Sequence, residues 1–228
     1  MKYFFSIVFV MSFVYSFSQG NLNYRGENIS KGIIKKNNEI KGENFIYDEW
    51  NQGMLVLNDS VFSNQEFLKY DAYKDLVLIK KGDKIIEISD KSITGFSIFE
   101  KENNLKHDFV GLKGNHFLDK SEKGFYEIVD NSNETNYFIK KNEKFIFDPN
   151  RNSSTMAVNN FQLEYKDKVS YYIKNNDGLY VKVRLNKKGV KSVLLNNSPE
   201  INKYIKIHKI RFNKEDDVMK LVNYYYSI

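Results

Sequence analysis

The sequence predicts an α+β protein: mainly antiparallel β structure, as a curved sheet or a sandwich, with a small C-terminal segment of two or three short helices. Three observations predict it. Between residues 32 and 183, runs of β-branched and aromatic residues are separated by Lys/Asn-rich turns, the pattern of local hairpins that pair antiparallel. After Leu185 the apolar spacing changes from alternation to i, i+3, i+4, which is helical. No segment recurs at a fixed period, so a solenoid or propeller is not expected.

Residues 1–18 read as a secretory signal peptide. Lys2 gives the positive start, Phe4 to Tyr15 form the apolar stretch, and Ser16-Phe17-Ser18 offers small residues for cleavage before Gln19. A spanning helix needs about 20 apolar residues, more than this run supplies, and no later stretch reaches that length. The chain contains no cysteine. Disulfides, thiolate metal sites and a cysteine nucleophile are therefore excluded, and the fold rests on its core alone.

Residues 19–147 form the antiparallel β region. "GIIKKNNEIKG" (32–42), "LVLIKKGDKIIEIS" (76–89), "NYFIKKNEKFIF" (136–147) and "SYYIKNNDGLYVKV" (170–183) share one plan, an apolar run, a Lys/Asn turn and a second apolar run. "MLVLNDSVFS" (54–63) is a further hairpin, turning at Asn58-Asp59-Ser60, and "SITGFSIF", "HDFVGL" and "KGFYEIVD" add strands. Pro149 and the Asn/Ser cluster after it mark an irregular connection over 148–167, followed by a terminal hairpin over 168–185.

Residues 186–228 are helical. Val190, Val193 and Leu194 share one face of a short first helix. Ser198, Pro199 and Glu200 suit the start of a second, whose stripe is Ile201, Tyr204, Ile205 and His208. A third begins at Asn213, with Glu215, Asp216 and Asp217 favoured at the positive end of the helix dipole. Val218, Leu221, Val222, Tyr225 and Ile228 form its buried face, and Tyr224 and Tyr226 flank the contact.

The formal net charge is +6 with both signs interspersed, so a nucleic-acid partner is not expected. No motif predicts an enzyme. The histidines His107, His116 and His208 are scattered. His107 and His116 fall on neighbouring strands or turns and read as surface or half-buried residues. "DNSNETN" (130–136) lacks the glycine and the terminal glutamate of a calcium loop. Asp48, Glu49 and Asp75 are acids that nothing pairs. No catalytic residue, metal site or cofactor is predicted.

Lys35-Lys36, Lys80-Lys81 and Lys140-Lys141 are expected at strand ends, where lysine keeps exposed β structure soluble. Their functional alternative is a cationic rim for an anionic glycan or a lipid headgroup. Trp50, in "NFIYDEWNQG" (44–53), is expected to pack in the core or across strands, with a ligand platform as its alternative.

The exported start, "YDEWNQGMLVLNDSVFSNQEFLKYDAYKDLVLIKKGDKIIEI" (47–88), "KGFYEIV" (123–129) and "FNKEDDVMKLVNYYYSI" (212–228) resemble a group of uncharacterised secreted or envelope proteins of Bacteroidetes, especially flavobacteria. In that group a strand-rich body precedes a short helical C-terminus, and no activity or site residue carries over. Asp59-Ser60-Val61 is similar to the Asp-Ser/Thr-aliphatic O-glycosylation motif of that phylum, which marks Ser60 for modification. Export by the signal peptide is expected to place the protein in the periplasm, at the outer membrane or outside the cell.

The expected function is a non-catalytic cell-envelope protein that binds or scaffolds a partner: an envelope protein, a glycan or a lipid. A carrier of an apolar or amphiphilic ligand is the alternative, and an envelope hydrolase the third. An apolar pocket in the sheet favours the carrier and a filled sheet the scaffold, whereas clustered acids with shifted pKa favour the enzyme. The sequence sets no oligomeric state.

Overall fold

The computed structural model describes residues 28–29, 40–57, 60–88, 93–101, 104–129, 136–149, 162–194 and 199–228. Residues 1–18, read from the sequence as a signal peptide, lie outside the described residues. Among them the chain forms β1 (Asn28–Ile29), β2 (Ile40–Lys41), β3 (Asn51–Leu57), β4 (Ser60–Asp71), β5 (Leu76–Lys81), β6 (Lys84–Ile88), β7 (Gly95–Glu100), β8 (Leu105–Leu112), β9 (Gly124–Ile128), β10 (Phe138–Phe147), β11 (Leu163–Lys174), β12 (Tyr180–Val183), α1 (Lys187–Val193), α2 (Pro199–Ile207) and α3 (Glu215–Ser227). None of these helices is long and apolar enough to cross a membrane.

The α+β architecture is as the sequence predicts. All twelve strands join one sheet, ordered β1-β6-β5-β4-β3-β7-β8-β9-β10-β11-β12, with β2 beside the start of β11. Strands β3 to β6 run as a meander in one direction. The chain then returns, and β7 to β12 extend as a second meander from the other edge of β3. Every pairing is antiparallel except β2 with β11.

The sheet is rolled. Five strand spacings separate β4 from β10, about 24 Å on a flat sheet. Yet the carbonyl of Ala72, just past β4, accepts a 3.1 Å hydrogen bond from the Lys144 amide in β10. The Asp75 carboxylate, in the β4–β5 turn, accepts from the Phe125 amide of β9 at 3.2 Å. Strand twist accumulates over this many strands, and a register irregularity between Gly53 and Leu55 of β3 adds bend.

Large aromatic rings fill the concave side. Phe96 and Phe109 stack at 4.5 Å and 8°. The Tyr70 ring lies 5.3, 5.4 and 6.1 Å from Phe96, Phe109 and Phe125, and aliphatic residues of β3 to β7 complete this core. A second core lies further along the same face, where Phe138, Ile173 and Val183 meet the three helices. On the opposite face Ile139, Tyr172 and Tyr180 pack under Phe117, in the segment that links β8 to β9.

The helices follow the predicted faces with a few departures. The Asn186 carboxamide caps α1 by accepting from the Gly189 amide at 2.8 Å. Val190, Val193, Leu194, Ile201, Val218, Leu221 and Val222 are buried. His208 is exposed beyond the end of α2, Ile228 is exposed at the chain end, and Tyr225 is only half-buried. The tail is held by stacking instead. Tyr226 lies flat on Tyr137 at 3.7 Å and 3°, and its hydroxyl donates to the Lys174 carbonyl. Tyr224 stacks on Tyr204 at 4.0 Å and 10°.

Three strand expectations change. The segment 136–147 holds one continuous strand, Phe138–Phe147, and not a hairpin, because β11 pairs along the whole of it, and Asp167 and Lys168 of β11 reach Lys144 and Glu143 in its polar middle. The predicted connection over 148–167 is shorter at its end, since β11 begins at Leu163. Residues 40–41, read as the end of a first hairpin, pair with Leu163 and Glu164 of β11.

Candidate binding cleft

Side chains two residues apart on a strand share a face. On four adjacent strands the concave face therefore changes from apolar to polar along one line. Ile98 is followed by Glu100 on β7, and Phe125 by Glu127 on β9. Phe138 is followed by Lys140 on β10, and on the antiparallel β8 Phe109 is preceded by His107. The roll brings the four polar members into one chain of contacts between the two apolar cores.

Glu127 is the centre of that chain. Its carboxylate is 2.9 Å from His107 Nδ1, 3.4 Å from Lys140 Nζ and 2.5 Å from Asn142 Nδ2. On the other side of the imidazole, Nε2 is 3.3 Å from Glu100. Lys140 continues the chain to Glu215 in the first turn of α3, at 2.9 Å. The hydrogen bond from Glu127 raises the His107 pKa above its usual value, outweighing a burial penalty, with Glu100 adding to the effect. Burial alone would raise Glu127, but the bond from His107 and the charge of Lys140 bring it below the usual carboxylate value. Burial likewise opposes the Lys140 charge, and Glu127 and Glu215 more than restore it. Each of the three shifts favours the ionised form of its group.

The segment before β3 crosses over this chain. It is anchored by the Ile46 amide donating to the Tyr70 carbonyl at 3.2 Å and by the Ala72 amide donating to the Asn44 carbonyl at 3.0 Å. It lays the Tyr47 ring 5.4 Å from the His107 ring. Burial, then the charges of Glu127 and Glu100, push the Tyr47 pKa up, so the phenol stays protonated. Two adjoining cavities share Ile46 and Tyr47. The smaller, about 280 Å³, reaches His107, Glu127, Lys140 and Asn142. The larger, about 480 Å³, is walled by Asp48, Glu49, Trp50, Asn51, Glu100 and Lys101.

The sequence-predicted residues are dispersed. Lys35 and Lys36 lie outside the described residues. Lys80 and Lys81 are at the β5 end as expected, Lys81 beside Glu66 at 3.3 Å and Lys80 near the Trp50 ring at 6.0 Å. Lys140 and Lys141 instead lie within β10 and are mostly buried. Lys140 faces Glu127 and Glu215, and Lys141 faces Asp75 and Glu143, each at 3.8 Å. The two described pairs sit on strands that are not neighbours and do not make one rim. Ser60 opens β4 opposite Leu57, and the Asn58-Asp59 turn before it lies outside the described residues.

Trp50 is half-buried at the cleft rather than in a core, with the Lys69 ammonium 5.7 Å from its ring. His116 is exposed and bonded locally to Lys113, far from the role taken by His107. No group of three or more His, Asp or Glu side chains among the described residues is arranged to hold a metal ion.

No protein-family model matches this chain, and comparison with curated proteins and with solved structures finds no similar one.

Proposed function

We propose that this is a non-catalytic exported protein of the cell envelope that binds or scaffolds a partner, and that the partner seats in the cleft beside Tyr47. The pair of adjoining cavities supports this reading, since they open where the concave surface turns from apolar to charged. Tyr70, Phe96, Phe109 and Phe125 are buried together in the rolled interior, which supports a filled sheet and so the scaffold reading over the carrier. Export rests on the leader-like residues 1–18 and on the resemblance to secreted proteins of Bacteroidetes. A hydrolase is the second reading, and one observation favours it: His107 stands between two carboxylates, an environment suited to a tunable general acid or base.

A photo-crosslinking amino acid at Glu49, on the cleft rim, and another at Phe147, on the distant end of β10, test the binding reading in the native envelope. The Glu49 probe is expected to capture a protein, glycan or lipid that the Phe147 probe does not. Equal capture from both positions would remove the cleft assignment. Intact mass of the native protein is expected to begin at Gln19, and a retained Met1 would remove the export assignment.

A further inference from the structure

We infer that the cleft takes an organic cation, a ligand presenting a primary ammonium group, and that this ammonium binds between Glu100 and His107 in competition with a proton on the imidazole. The inference rests on the cleft being a binding site and names the chemistry of what it binds.

Charge is the first reason. In a chain of net charge +6, the wall of the larger cavity carries Asp48, Glu49 and Glu100 against Lys101 alone. Of the neighbouring ammoniums, Lys140 is engaged by Glu127 and Glu215 and Lys168 by Glu143 at 2.9 Å, while Lys69 donates to the Asp48 carbonyl and lies 5.7 Å from the Trp50 ring, with Lys80 6.0 Å from that ring. The side chains that line this cavity therefore carry a net sign opposite to that of the molecule, which favours a cationic ligand there. These carboxylates are spread along a wall and not gathered for a metal ion, which suits an extended organic cation.

The second reason is the asymmetry around His107. Its Nδ1 is 2.9 Å from Glu127, whereas Nε2 is 3.3 Å from Glu100. A neutral imidazole carries one proton and has one acceptor nitrogen. The closer and more buried Glu127, which Lys140 and Asn142 also hold, keeps that proton on Nδ1. Loss of the second proton then leaves the Nε2 lone pair facing the Glu100 carboxylate, two acceptors with no donor between them. An ammonium group has three donors. One hydrogen bond satisfies Glu100 and another Nε2. In the balanced exchange the ligand ammonium enters, the Nε2 proton leaves to solvent, and the net charge of the site is unchanged.

The aromatic wall is the third. Tyr47, whose ring lies 5.4 Å from that of His107 and which lines both cavities, flanks the position and offers ring surface to the carbon chain of an amine. The groups facing His107 are Glu100 from β7, Glu127 from β9 and Tyr47 from the crossing segment. Lys140 of β10 and Glu215 of α3 lie behind Glu127. The raised pKa of His107 places the competition above about pH 6.5.

The test uses isosteric pairs that differ in the ammonium: putrescine against 1,4-butanediol, and glucosamine against glucose. Binding to the purified protein is measured by calorimetry, with imidazole and tyrosine NMR shifts locating the site. The amines are expected to bind and their neutral isosteres not to bind. Affinity for putrescine, which keeps its ammonium groups throughout, should rise as pH is raised from 6 to 8, by up to about tenfold per unit for one displaced proton. Which amine is preferred distinguishes a free diamine from an amino sugar.

Glu100→Gln, at unchanged melting temperature, should weaken amine binding at least about tenfold, one charge-assisted bond being lost. His107→Gln should bind amines with a flat pH profile. Equal affinity of amine and neutral isostere overturns the inference, as does a pH-independent affinity in the wild type. Glucose or butanediol binding at Tyr47 as well as the amines would leave the cleft standing and the cation assignment wrong. Absence of any probe binding, with no cleft-specific crosslink at Glu49, would overturn both.

Discussion

Replacing Gly124 by alanine tests whether the roll of the sheet is held at one seam. Gly124, the first residue of β9, has φ +120°, a region that costs an L-residue about 1–3 kcal/mol. A Cβ there would overlap the Asp75 carboxylate, coming within 2.9 Å of its Cγ and 3.1 Å of Lys141 Nζ. Asp75 must then move, and it is the residue that ties the β4–β5 turn to β9. It accepts from the Tyr70 hydroxyl at 2.6 Å and from the Phe125 amide at 3.2 Å. Two hydrogen bonds to a half-buried carboxylate are worth about 3 kcal/mol at the low end of their range. Backbone strain added to this gives about 5 kcal/mol, a large part of the roughly 5–15 kcal/mol that stabilises an ordinary domain. In urea, with a slope of about 2–3 kcal/mol per molar, the midpoint should fall by about 2 M. Asp75→Gly separates the contributions, because glycine suits the φ of +57° at that position and removes the obstructing carboxylate. In that background Gly124→Ala should cost only the strain, about 2 kcal/mol. An equal cost in both backgrounds would show that Asp75 is not what the alanine displaces.

Further outcomes follow from the charged chain and the tail. His107 has a raised folded pKa, so its contribution to stability is complete below about pH 6.5 and is lost as pH rises through the folded value. Glu127 is lowered, so its contribution is complete above about pH 4.5 and is lost as pH falls through its folded value. The melting temperature should therefore peak between these limits, and His107→Gln should abolish the alkaline decline; a decline that persists would assign it elsewhere. Lys140→Met removes the ammonium that Glu127 and Glu215 share and should cost about 3 kcal/mol in denaturant unfolding, with part of the loss recovered by adding Glu127→Gln. Tyr226→Ala removes a stacked ring and a hydrogen bond, about 2 kcal/mol together, while Tyr226→Phe should lose only about half of that. Asp217, held to about 2 chiefly by hydrogen bonds from Arg211, should keep α3 docked down to about pH 4 and release it between there and about pH 2. Far-ultraviolet circular dichroism of Asp217→Asn, compared across that window, checks the assignment.

Much of the fold was legible because it is local. The β5–β6 hairpin is written in Lys81-Gly82-Asp83-Lys84, where Lys81 pairs with Lys84 and Gly82 takes φ +58°. The β11–β12 turn is written in Asn175 and Gly178, the Asn175 side chain accepting from the Leu179 amide at 2.9 Å. The β10 stretch "KKNEK" misled because polarity imitates a turn. It contains no glycine, and each polar residue answers a partner distant in sequence, from a strand, a helix or the β4–β5 turn, which no local pattern reports. The cleft was hidden for the same reason. Its members come from the crossing segment, four strands and a helix, and Lys140 and Glu215 stand 75 positions apart. One signal was present: an apolar residue and a charged or ionisable one two positions apart, repeated as Ile98/Glu100, His107/Phe109, Phe125/Glu127 and Phe138/Lys140. Its meaning requires knowing that these four strands are neighbours, which pairing and not composition decides.

The seam between Asp75 and Phe125 also sets an order of assembly. It joins positions 50 residues apart, and such distant contacts incur the entropy of loop closure before they return any stability. The β3–β6 meander can complete its ladders as soon as Ile88 has been made. Its inner side chains, Leu55, Leu68, Val77 and Ile79, remain uncovered until β7, β8 and β9 arrive. Folding of this kind belongs to the millisecond-to-second range, long compared with hairpin formation. During that interval the half-built sheet presents a sticky apolar surface with an open edge at β3. A chain at that stage carries the kind of exposed apolar surface that holding chaperones recognise, and the time for which it does so is set by the closing of one turn against one strand.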